Sequence, residues 1–273
     1  MNRQQSLGGG ARGFISLKGK KLTPLWADQN NVIINNKYSK YEVSMKKSFT
    51  LAEVLITLGV IGIVAAMTLP TLINKHHKQV TVTRLKQSYA ILSEAVKQSE
   101  VVNGSSEYWN YETDGETFYK TYLKNYVKVI SEEFLSDLNA HISYKGLSGG
   151  TVAALIEDGN NYTIKLPNGS IVIIASREYS NYKVIGIDVN GFANPNQIGR
   201  DLFYFAVSKR RGVQPYGLFV GTEKVGENYT RDTLTKDGPA GYEYAACNKA
   251  QVGHLCTLLI MHDGWEMKDD YPW

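Results

Sequence analysis

The sequence predicts an α+β protein built on one long N-terminal helix, the first half of it membrane-spanning and the rest packed on an antiparallel β-sheet. Three features carry that prediction. Phe49 to Leu69 is an apolar run whose only ionisable side chain is Glu53. Behind it, apolar residues recur at helical spacing from Val82 to Val96. From Thr151 onward the pattern changes to short β-rich runs separated by turn residues.

Residues 1–48 are the leader, and residues 1–44 of it are polar and partly Gly-rich, as in Ser6-Leu7-Gly8-Gly9-Gly10, and show no hydrophobic periodicity. They read as either disordered or removed. Met45 stands directly before Lys46-Lys47, so a start at Met45 is a second reading of the same stretch. This segment also distorts the charge balance. The chain has 30 basic and 26 acidic residues, but from Phe49 on it has 21 and 24, so a formal net charge of +4 becomes −3. The body is slightly acidic, which argues against a general affinity for polyanions.

Residues 49–69 are long enough for a transmembrane helix, because at ~1.5 Å rise per residue they reach roughly 30 Å, one bilayer core. A carboxylate in such a helix costs at least about 2.5 kcal/mol on insertion scales, which makes Glu53 a functional candidate. The competing reading places Glu53 close enough to the surface to reach headgroups and water. Basic residues are balanced across the span, with Lys37, Lys40, Lys46 and Lys47 before it and Lys75, Lys78, Arg84 and Lys86 after it, so charge alone sets no orientation. His76 and His77 lie between Lys75 and Lys78, where a basic collar at the headgroups explains them better than a metal site does.

Residues 70–104 continue the helix in amphipathic form. Val82, Leu85, Tyr89, Leu92 and Val96 draw one stripe, Arg84, Lys86, Gln87, Glu94, Lys97 and Gln98 fill the far side, and Asn103-Gly104 supplies a stop. The stripe is short for a coiled coil, so packing on the protein's own sheet is the expected use. Residues 105–273 form the globular α+β domain. Its first part is rich in aromatics, including Trp109, Tyr111, Tyr119, Tyr122 and Tyr126, with a helix expected from Glu116 to Val129. Strands are expected over Val152–Glu157, Tyr162–Leu166, Ile171–Ala175, Lys183–Asp188 and Leu202–Val207. Asp158-Gly159-Asn160 and Asn168-Gly169 are turns of an antiparallel meander.

The segment Lys46-Lys47-Ser48-Phe49-Thr50-Leu51-Ala52-Glu53-Val54, followed by an apolar helix, resembles the N-terminal signature of type IV prepilins and type II secretion pseudopilins. The resemblance covers about Lys46 to Leu69. It implies a pilin-like fold and cleavage by a membrane-embedded prepilin peptidase between Ser48 and Phe49, with N-methylation of the new Phe49 amine. Ser48 stands where the family has Gly or Ala, and it keeps the side chain small. Glu53 would attract the N-terminal amine of a neighbouring subunit, two costly charges becoming tolerable together. Pro70 falls where pilin helices bend, and Gly59 and Gly62 where they loosen on assembly. The implied partners are the peptidase, other pilin or pseudopilin subunits, an inner-membrane assembly platform and the lipid bilayer. The implied location is the bacterial inner membrane, crossed once with the N-terminus cytoplasmic and the domain outside.

In that orientation Cys247 and Cys256 lie in an oxidising compartment and a disulfide is expected, as many pilins close a C-terminal loop this way; two unpaired thiols are the other reading. Some pseudopilins hold calcium in a late loop, and Asp188, Asn190, Asn194 and Asp201 gather oxygen ligands in one. The same residues are also ordinary turn formers, and the spacing is not that of an EF-hand. No other cofactor is implied. Lys209-Arg210-Arg211 could touch DNA, as competence pilins do, but three charges in an acidic body more often mark a solvated turn, so nucleic acid is not the expected partner.

Gly146-Leu147-Ser148-Gly149-Gly150 satisfies the G-x-S-x-G pattern of a hydrolase elbow without the strand and helix that such an elbow needs. His254 and His262 follow downstream with no acid argued to orient them. The expected role is therefore that of a structural subunit of a type II secretion pseudopilus or type IV pilus, not an enzyme. The alternative is a membrane-tethered protein that binds a ligand through the aromatic stretch 105–126 and never polymerises.

Overall fold

The computed structural model describes residues 49–138, 142–151, 156, 160–209, 211–217, 229–238 and 242–273. The chain divides into two compact units, Met1–Leu72 and Ile73–Trp273. Helix α1 runs over Leu51–Asn103, with Pro70 inside it. Proline has no N–H to give the carbonyl of Ala66, so one bond of the ladder is missing there. Among the described residues α1 is the one helix long and apolar enough to cross a membrane.

Within the second unit, α1 buries Thr81, Val82, Leu85, Ser88, Leu92, Ala95, Val96 and Ser99, a stripe wider than the apolar positions alone suggest. Small hydroxyl residues at 81, 88 and 99 let the helix approach its neighbours closely, and Ser88 Oγ accepts from Asn168 Nδ2 at 3.0 Å. Tyr89 is only half-buried and packs between Phe205 and Trp265, with ring centroids 5.6 and 5.2 Å away.

Six antiparallel strands follow one another across a single sheet: β1 (Ser131–Phe134), β2 (Tyr162–Lys165), β3 (Ile171–Ile174), β4 (Tyr182–Asp188), β5 (Leu202–Ser208) and β6 (Gly212–Pro215). The β2–β3 turn forms as its residues predict. Gly169 takes φ +87° and Asn168 Oδ1 accepts from the amide of Ser170 at 3.0 Å. The expected strand over Val152–Glu157 lies outside the described residues apart from Ile156. The expected helix over 116–129 is shorter: α2 spans Gly115–Phe118 and continues as one π-helical turn, Tyr119–Leu123. Asp114 caps it, accepting from Thr117 N at 2.8 Å.

Both faces of the sheet are covered. On one side Phe203, Phe205, Ile185, Ile187 and Val172 join the α1 stripe. On the other, Tyr204, Leu202, Val184 and Ile173 meet Tyr144, Ile156, Ile198 and Tyr216. This explains why all four residues of β3 and all seven of β5 are buried, where a sheet with one wet face would alternate. A final helix, α3 (Cys256–His262), closes the chain's C-terminal region.

Candidate functional site

The N-terminal end of α1 carries the residues singled out from the sequence. Ser48 lies outside the described residues. Phe49 is 86% exposed, and the apolar side chains that follow it, through Leu72 and Ile73, are exposed as well. Thr50 and Glu53 form a reciprocal pair at the helix start. Glu53 N–H donates to Thr50 Oγ1 at 3.2 Å, while Thr50 N–H and Thr50 Oγ1 donate to Glu53 Oε2 at 2.8 and 3.0 Å. This is a capping box, Thr at the cap and Glu at the third helical position, and it satisfies two of the backbone donors that a helix start leaves free. The pattern T-x-x-E, Thr50-Leu51-Ala52-Glu53, is the sequence signal for this box.

The β4–β5 loop brings the four oxygen-bearing residues together around two buried carboxylates. Asp188 accepts from Tyr144 Oη at 2.8 Å, Asn190 N at 3.1 Å and Gly191 N at 2.9 Å. Asp201 accepts from Asn196 N at 2.7 Å, Gln197 N at 2.5 Å and Asn190 Nδ2 at 3.3 Å, and the backbone oxygen of Asn194 lies 3.5 Å from Asn190 Nδ2. The carboxylate oxygens thus face N–H and O–H donors, a set that closes the loop on itself. Burial pushes Asp188 up to about 6, partly offset by the Tyr144 hydroxyl, and burial also raises Asp201. No group of three or more His, Cys, Asp or Glu suited to a metal occurs among the described residues.

Cys247 and Cys256 are joined in a disulfide, with their Cα atoms 4.8 Å apart. It ties the turn at 243–248 to the start of α3. Gly199 packs against it at φ +80°, where a Cβ would lie 2.7 Å from Cys256 Sγ. The C-terminal stretch is held by a charge network absent from the sequence reading. Arg231 Nε donates to both oxygens of Asp263 at 3.0 Å, its two terminal nitrogens reach Asp270 at 2.7 and 2.6 Å, and Lys268 Nζ reaches Asp263 at 2.9 Å. Only charge type hinted at it, since the partners stand 32 and 39 residues apart.

The remaining candidates fall into structural positions. Trp109, Tyr111 and Tyr119 are buried and Tyr122 is stacked on Trp109 with centroids 4.3 Å apart, so the aromatic stretch faces the core; Tyr108, at 83% exposure, is the exception. Gly146 to Gly150 form a tight turn, with Gly146 N–H donating to Gly150 O at 3.0 Å, and no strand-to-helix elbow. His262 Nδ1 lies 3.5 Å from Asp263, an acid the sequence reading had not paired with it, but Asp263 already serves Arg231 and Lys268. His254 is buried among Tyr204, Tyr216 and Tyr244. Lys209 and Arg211 sit in the β5–β6 turn, and Arg210 lies outside the described residues.

Sequence reasoning also missed Lys183. It is fully buried on β4, donates to the carbonyls of Thr113 and Arg177, and sits 5.9 Å from the centre of the Phe118 ring. Burial pulls its pKa down to about 8, against the opposing pull of Glu178 and Asp114. It pins the 111–118 segment to the sheet.

The geometry defines an α+β protein whose apolar N-terminal helix continues as the spine of a two-faced antiparallel sheet. Residues 71–273 match the model of a Family of unknown function (DUF6613), and the chain belongs to that family. No curated protein and no solved structure matches it.

Proposed function

We propose that the chain is a pilin-like structural subunit of a type II secretion pseudopilus or type IV pilus. In this reading a prepilin peptidase cuts between Ser48 and Phe49 and methylates the new amine. The apolar half of α1 holds the subunit in the bacterial inner membrane until an assembly platform draws it into a filament, and Glu53 meets the Phe49 amine of a neighbouring copy. One observation supports this most. From Leu51 to Ile73 the large apolar side chains of α1 are exposed, while the same helix beyond Thr81 is the packed spine of a folded domain. Such a helix has an unfilled half that needs lipid or sister helices around it.

Burial of Trp109, Tyr111 and Tyr119 favours this reading over the tethered, non-polymerising alternative, which would rely on Tyr108 and the half-buried Tyr122 and Tyr126 for ligand recognition. Glu53→Ala in the full chain tests the proposal. Filament formation, read by electron microscopy and sedimentation, is expected to be lost while urea unfolding of the globular domain stays unchanged. Filaments that form equally well without the carboxylate would overturn it. Mass spectrometry of the mature N-terminus is expected to give a methylated Phe49.

A further inference from the structure

We propose that Lys75, His76, His77 and Lys78 form a collar that binds the headgroups of anionic phospholipids; this rests on the membrane-spanning reading of α1. Four consecutive residues of an α-helix, each about 100° beyond the last, surround most of its circumference. Lys75, His76 and His77 are exposed and Lys78 is partly so. They follow within one turn of Leu72 and Ile73, the last exposed apolar side chains of the run, at 64% and 49% exposure. Lysine stems can lie along apolar surface while their heads reach headgroup phosphates.

The local charge is unusual for this chain. Between Glu53 and Glu94 the helix carries no acid, although Lys75, Lys78, Arg84 and Lys86 all lie there, and acids outnumber bases from Phe49 onward. Arg84 is engaged by the domain, donating to Val189 O at 3.3 Å, and Lys78 Nζ reaches Lys268 O at 3.3 Å. Among the described residues no acid pairs with the four collar residues. Of the acids in that C-terminal stretch, Asp263 and Asp270 pair with Arg231, while Glu266 and Asp269 line an open groove beside it. Lys75 and Lys78, three residues apart, share one face of the helix directly after the exposed apolar run, at the depth where the spanning reading puts headgroup phosphates, and that position favours lipid over a protein partner.

The test places the full chain in phosphatidylcholine nanodiscs carrying a minor fraction of spin-labelled phosphatidylglycerol. Motionally restricted lipid is then compared with that from labelled phosphatidylcholine. About fivefold preference per lysine is expected, hence roughly 25-fold for the pair, falling at high salt. The variant Lys75→Gln/His76→Gln/His77→Gln/Lys78→Gln is expected to approach no preference. A wild-type chain that resists carbonate extraction yet shows no preference would overturn the collar and leave the span intact. So would a preference that survives in the variant, or one that appears only together with cross-linked dimers, which would assign the collar to a second copy. A chain extracted by carbonate would overturn both readings.

Discussion

Acid is expected to weaken the globular domain through the buried imidazole of His254, and a paired-variant measurement separates it from an opposing group. His254 is 7% exposed, edge-on to Tyr204 at 5.3 Å and enclosed by Tyr216 and Tyr244, and its Nε2 has no hydrogen-bond partner. Burial pushes its pKa from 6.5 down to about 4. Between those values the unfolded chain binds the proton and the fold does not, so stability is fully present above 6.5 and is lost as pH falls toward 4. From pH 7.5 to 4.5 the loss is about 2.5 kcal/mol. Asp188 acts in the opposite direction. Its folded pKa is raised to about 6, so over the same interval the fold takes up the proton first and gains about 2 kcal/mol. The two nearly cancel, and the wild-type profile should be flat with respect to this pair. Urea unfolding of the full chain in detergent, followed by near-ultraviolet circular dichroism across pH 4.5–7.5, resolves them by difference. His254→Phe removes the loss, so its stability relative to wild type should rise by about 2.5 kcal/mol on acidification. Asp188→Asn should instead fall relative to wild type by about 2 kcal/mol. Parallel profiles for wild type and His254→Phe would refute the reasoning, because every other carboxylate drops out of that difference.

Opening the Cys247–Cys256 bridge releases a ten-residue loop, which the chain-entropy model values at about 2.7 kcal/mol. Cys247→Ser/Cys256→Ser, or reductant on the wild type, should lower the urea midpoint accordingly, and an unchanged midpoint under reductant would count against the bond's contribution. Arg231→Ala leaves the Asp263 carboxylate, 3% exposed at its side chain, with fewer donors and is expected to cost about 1–3 kcal/mol. Arg231→Lys should recover only part of that, since an ammonium cannot span two carboxylates as the guanidinium fork does. Full recovery by lysine would show that charge alone matters there.

The elements that could be read from the sequence are those that carry their own apolar signal. The α1 stripe, β2 to β5 and the Asn168-Gly169 turn all announce themselves through spacing or turn chemistry. The two edge strands do not. β1 is Ser-Glu-Glu-Phe and β6 is Gly-Val-Gln-Pro, too short and polar to look like strands alone, and they exist because a neighbouring strand offers its backbone. A proline is tolerated in β6 because an edge position has one hydrogen-bonding side free. The second covering layer was invisible for a related reason. Tyr144, Ile198 and Tyr216 come from separate loops, and only the fold brings them under the sheet. Charge pairs such as Arg231–Asp263 and the anchoring of Lys183 depend on long-range proximity, which no local pattern encodes.

The capping box changes what is asked of Glu53. A lone carboxylate at the head of an apolar helix would be costly to hold until a partner arrives, and that cost first marks it as functional. Here one oxygen already accepts from the backbone and hydroxyl of Thr50, and the positive end of the helix dipole lies beside it. A single subunit can therefore hold this carboxylate hydrogen-bonded before any partner is present. The proposed cleavage before Phe49 would leave the Thr50 amide intact, so the cap would survive processing, with Oε1 left for the amine of a neighbouring copy. A conservative change discriminates between the two duties. Glu53→Gln preserves the acceptor that caps the helix but removes the charge, so under the proposed assembly it should keep the helix start and lose the filament. Loss of filaments in Glu53→Ala but not in Glu53→Gln would assign the residue to helix capping and remove the charge-pairing step from the proposal.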